Sequence, residues 1–186
     1  MNDYILRLKH WQLFCFLLVP HVASWFTNDV DILSIFNFLK AVFLMSWLVY
    51  LVNAMGRLGV SVHGYNFKWF LVDVFIFLAA VGYSSIIDDP MFHVTTTSFK
   101  GKNAGFLLSL YVVFAYFHVH WFITSLLEEK ETGQLPDATR RIGTFLLFLF
   151  WPIGIWFIQP RINRLWERQM RERQALEEAT LSSAIR

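Results

Sequence analysis

The chain has 186 residues, 56% of them hydrophobic and only 16% charged, with a mean hydropathy of +0.45. Soluble domains are about 45–50% apolar and about 25% charged, so a water-facing fold of this length would leave large apolar patches exposed. The net charge of +2 excludes a strongly polyionic protein, and the single Cys15 excludes a disulfide framework or a CxxC metal site.

Five apolar segments follow one another along the chain: 11–26, 32–55, 67–87, 105–127 and 142–158. A spanning helix needs about 20 residues to cross about 30 Å of hydrocarbon. The second, third and fourth segments meet that length, while the first and fifth are shorter. Arg7 and Lys9 precede the first segment, and no small-x-small cleavage site follows it, so it reads as a start-anchor helix rather than a cleaved signal. It contains Pro20, and the fifth segment carries Pro152 and Gly154 near its middle. Such residues are tolerated in spanning helices and also mark re-entrant hairpins. Trp11, Trp25, Trp69, Trp121 and Trp156 lie near segment ends, where amphipathic rings favour the interface, whereas Trp47 and Trp151 lie deeper and read as packing residues. The longest loop runs over 88–104.

The expected fold class is an all-α, polytopic transmembrane helix bundle over 1–158, followed by an arginine-rich amphipathic tail helix over 159–186. Six of the sixteen lysines and arginines lie after Gln159. If the fifth segment dips into the bilayer and returns, the chain has four spans and thirteen loop or tail cations face two across the membrane. If it crosses, the chain has five spans and the split is seven to eight. The positive-inside rule favours four spans with both termini cytoplasmic, with five as the alternative.

In the tail, Ile162, Leu165, Trp166 and Met170 share one helical face. Glu167 with Arg171 and Arg168 with Glu172 are spaced to pair along it. Arg161, Arg164, Arg168 and Arg171 are the candidate contacts to anionic headgroups, and a plain topology anchor is the simpler reading of the same residues. The interleaved glutamates exclude a nucleic-acid module.

Ionisable residues inside spans are costly and are functional candidates. Lys40, Asp73, His118 and His120 qualify. A rise of about 1.5 Å per residue puts Lys40 roughly 12 Å below one face, and Asp73, His118 and His120 together at about 20–22 Å. The two histidines are about 200° apart around the helix, so only one can meet Asp73. A carboxylate–imidazole contact is first of all glue between two helices, and second a proton relay or substrate site. No catalytic motif and no cofactor or metal signature occurs: His63 and His93 have no second ligand at zinc spacing, and His21 has no haem spacing.

The stretches LKHWQLF at 8–14 and FWPIGIWFIQPRIN at 150–163 resemble the terminal blocks of small, uncharacterised multi-span inner-membrane proteins of bacteria. That resemblance implies a bacterial inner membrane and no particular activity. In size and span count the chain is also similar to small membrane accessory proteins encoded beside bacterial defence nucleases. The expected function is therefore a non-enzymatic structural or accessory subunit, acting as a homo-oligomer or with a partner membrane protein. A small transporter or channel using Asp73 and a histidine is the alternative, and a defence accessory the third reading.

Overall fold

The computed structural model describes residues 8–57, 66–134 and 138–184. Arg7, His63 and Arg186 lie outside them. Six α-helices make up the described fold: α1 (His10–Ala23), α2 (Val30–Arg57), α3 (Phe67–Ile86), α4 (Ala104–Thr132), α5 (Ala138–Leu149) and α6 (Trp151–Ala184). A single 3-10 turn (Ser24–Phe26) ends α1, and two short strands, β1 (Phe92–Val94) and β2 (Phe99–Gly101), join α3 to α4.

Among the described residues three helices, α2, α3 and α4, are long and apolar enough to cross a membrane. Their 28, 20 and 29 residues correspond to about 42, 30 and 43 Å. Their outward faces are apolar: Ile35, Phe75, Leu107, Leu110 and Phe114 are all exposed. Water would penalise such a surface, and lipid tails solvate it. Inside, Trp47, Leu48 and Leu51 of α2 meet Phe70 and Phe77 of α3 and Val119 and Ile123 of α4 in one continuous core.

The first and fifth apolar segments take other shapes. With 14 residues, α1 is only about 21 Å long. The fifth segment is not one rod. It is divided between α5 and α6, which fold back on each other at Phe150. Continuing α5 through Pro152 would remove a backbone hydrogen bond and press the proline ring on the carbonyl four residues earlier. In the first turn of α6 the same proline loses nothing. Close approach then needs Gly154, because a Cβ there would collide with the Leu147 carbonyl. Further down, the Arg161 Nη1 donates to Thr144 Oγ1 at 2.7 Å, so α5 and α6 run antiparallel.

Two features depart from the sequence reading. The 88–104 loop contains an antiparallel hairpin in which Phe92 pairs with Gly101, His93 with Lys100 and Val94 with Phe99. The Val94 N–H donates to Ser84 Oγ at 2.9 Å, which ties the hairpin to the end of α3. The boundary between bundle and tail at 158–159 also disappears, because α6 runs through it unbroken. Ile162 and Trp166 are buried in the core, with Leu165 and Met170 packed against it, so the apolar face of the tail is used up by protein. Every residue from Arg171 to Ser183 is exposed.

The two terminal stretches singled out in the sequence lie against each other. Gln159 Nε2 donates to the Leu8 carbonyl at 3.1 Å, and the His10 and Phe14 rings pack on Trp156.

Candidate functional site

Three polar clusters sit within or at the ends of the bundle. The first is built on Asp73. Asn66 caps α3 by accepting from the Lys68 N–H at 3.0 Å, and Asp73 lies two turns beyond that cap on the face turned to α4. On α4, Tyr111, Phe114 and His118 follow at three- and four-residue spacing, so they form one stripe. The His118 Nδ1 donates to Asp73 Oδ2 at 2.5 Å, and the Tyr111 hydroxyl donates to Asp73 Oδ1 at 3.2 Å. Both carboxylate oxygens thus have a partner. Phe114 stacks on the imidazole at 5.7 Å, with the two ring planes only 6° apart.

Burial across this cluster is uneven. The Asp73 side chain is 3% exposed and that of His118 is 32% exposed. The imidazole borders a groove of about 380 Å³ on the outer face of α3 and α4, walled by Trp69, Tyr111, Phe114 and Phe122. His120 faces the opposite way and is fully buried, its Nδ1 donating to the Tyr116 carbonyl at 2.7 Å. Its Nε2 has no hydrogen-bond partner among the described residues. Helical geometry explains this division, since two positions differ by about 200°.

Lys40 does not join Asp73. Its Nζ lies 3.5 Å from Asn37 Oδ1, and the side chain borders a separate cavity with His21, Thr96 and Thr97.

The third cluster closes the end of the bundle where α4 finishes. The Arg161 Nη2 lies 2.6 Å from Glu128 Oε1, and Arg161 Nε donates to Glu131 Oε1 at 2.8 Å. Arg161 Nη2 also reaches Glu131 Oε2, and the Thr144 hydroxyl donates to Glu128. One planar guanidinium thereby joins α4, α5 and α6. The hydrogen bond to Glu131 and the paired charge of Glu128 raise the Arg161 pKa above its ordinary value, against the opposing effect of burial. Arg161, one of the four arginines read from the sequence as candidate headgroup contacts, is placed against carboxylates of the protein itself, because α6 turns it inward over the end of α4. Arg164 and Arg168 remain exposed beside Glu131, and Arg171 lies on the free part of the helix.

Glu128 and Glu131 carried no sequence signal beyond their place at the end of an apolar run. Their partner lies about thirty residues away and is brought to them only by the fold at Phe150. Among the described residues no group of three or more histidine, cysteine, aspartate or glutamate side chains is placed to hold a metal ion. No protein-family model, curated protein or solved structure matches the chain.

Proposed function

We propose that the protein is a non-enzymatic, membrane-embedded accessory subunit that receives a spanning helix of a partner subunit in the groove between α3 and α4. The observation that carries this reading is the partly exposed His118 imidazole, held against a buried carboxylate on an otherwise apolar, lipid-facing surface. A polar ring left facing hydrocarbon is costly, and a partner helix carrying a hydroxyl or amide would satisfy it. A photoreactive side chain at Phe114, in membranes, should give a defined protein adduct that disappears in His118→Leu. Adducts to lipid alone would overturn the proposal.

The proposed setting is a bacterial inner membrane with both termini cytoplasmic. The first apolar segment (α1 with its 3-10 turn, 14 and 3 residues, at the short limit for a span) and the three long helices would cross, and the α5–α6 hairpin would enter and leave on the cytoplasmic side. That arrangement puts the tail arginines with Lys9, Arg57, Lys68, Lys130, Arg140 and Arg141, as the charge rule favours. The exposed Arg164, Arg168 and Arg171 would then meet anionic headgroups. A reporter fused after Arg186 and another between Glu128 and Arg141 should both read cytoplasmic; opposite readings would require the hairpin to open into a span.

A second reading, a proton-linked transporter, draws on the same triad. Carboxylate–imidazole chains inside membranes serve as relays. Asp73→Asn would then abolish proton-linked flux in proteoliposomes without lowering thermal stability. Unchanged flux, or none in the unaltered protein, rejects it.

A further inference from the structure

Two hairpins border one cavity: the turn of the β-hairpin contributes Thr96 and Thr97, and the α5–α6 hairpin contributes Phe150 and Trp151. The cavity is about 140 Å³ and is bordered also by Lys40, His21 and Tyr116. Lys40 is ten residues into α2 and Trp151 is ten residues from Arg161, so both lie about 15 Å from their respective ends of the bundle. The junction is therefore near mid-depth.

The charge around this cavity is one-sided. No carboxylate lines it among the described residues. Among the described residues Lys40 makes one hydrogen bond, a long one of 3.5 Å to Asn37 Oδ1. His21 is within electrostatic reach of the ammonium and donates its Nδ1–H to the Leu17 carbonyl at 3.2 Å. The turn of the helical hairpin, Leu149 to Pro152, forms the remaining wall, where the end of α5 meets the start of α6. A partly buried cation gains from a counter-charge, and none of the described residues lining the cavity supplies one.

We propose that this junction binds a small monovalent anion, of the size of a halide or a short carboxylate, with Lys40 as its counter-charge. Thr96, Thr97 and Tyr116, which border the same space, supply hydroxyl donors. The volume sets the class. Liquid water occupies about 30 Å³ per molecule, so the cavity has room for a halide with a few waters. This site is separate from the groove at His118, and either can fail without the other.

Trp151 makes the test direct, because bromide quenches indole fluorescence and chloride does not. The full chain in a neutral detergent is titrated with bromide at constant ionic strength, gluconate serving as the bulky replacement anion. The part of the signal absent in Trp151→Phe should be quenched saturably, and chloride should reverse that quenching competitively. Lys40→Met should abolish the saturable part. Should that variant fail to fold, the double variant Thr96→Val, Thr97→Val keeps the charge and should bind bromide more weakly. Quenching that stays linear with bromide, saturation that survives in folded Lys40→Met, or affinity unaltered in the double valine variant would overturn the proposal.

Discussion

The cluster at Arg161 and the cluster at Asp73 contain similar chemistry and end up with opposite characters. At Arg161 three helices converge, and the guanidinium fork is filled by two carboxylates and a hydroxyl. Four of its five N–H groups are taken within the protein. At Asp73 only two helices meet, and the carboxylate is saturated while the imidazole remains at the surface. A cation whose donors are mostly taken by three helices of its own chain holds the fold together; an imidazole bonded through one nitrogen at the surface can meet something else. The difference arises from the number of helices around each group, not from the residue types.

The largest expected effect comes from breaking the closed cluster. Arg161→Ala leaves Glu128 buried without its cation, and loss of one partner from such a pair costs about 3–5 kcal/mol. Thermal unfolding in detergent should show it, and the double change Arg161→Leu, Glu128→Leu should recover much of the loss. If the single change were harmless, the cluster would not be what joins α4 to α6.

Opening the helical hairpin ranks next. Gly154→Ala places a methyl group against the Leu147 carbonyl, and overpacking of this kind costs about 1–3 kcal/mol. Gly143 has open space around its Cα, so Gly143→Ala is the matched control and should be neutral or slightly stabilising. Equal effects at the two glycines would contradict the close approach of α5 and α6.

The open cluster should be less sensitive. Asp73→Leu strands His118 and Tyr111 and should lower stability by about 1–2 kcal/mol, whereas Asp73→Asn keeps an acceptor and should be tolerated. Unfolding of both variants, measured beside Arg161→Ala, gives the comparison directly. A larger loss at Asp73 than at Arg161 would reverse the assignment of structural and available clusters.

The smallest effect is expected at the end of α6. Arg171→Gln and Arg173→Gln touch no packed surface and should change stability by less than about 0.5 kcal/mol. Any sizeable loss would mean that the exposed helix beyond Met170 is covered in the purified protein, by a second copy or by lipid.

Sequence alone carried the composition, the three long apolar helices and the shared depth of Asp73 and His118, because these depend on residue type, run length and a fixed rise per residue. It also carried the mutual exclusion of His118 and His120, which is a property of helical periodicity. Pro152 and Gly154 announced a break in the fifth segment without saying on which side the chain would leave it. The tertiary structure decided the rest. Hydrophobic runs set how long a helix is but not what it packs against, so the inward turn of Arg161 onto Glu128 and Glu131 was invisible until α6 lay across the end of α4. The same reason hid the cavity at Lys40. Its walls come from Leu17, Lys40, Thr96, Tyr116 and Trp151, five positions on five different elements, and no local pattern brings them together.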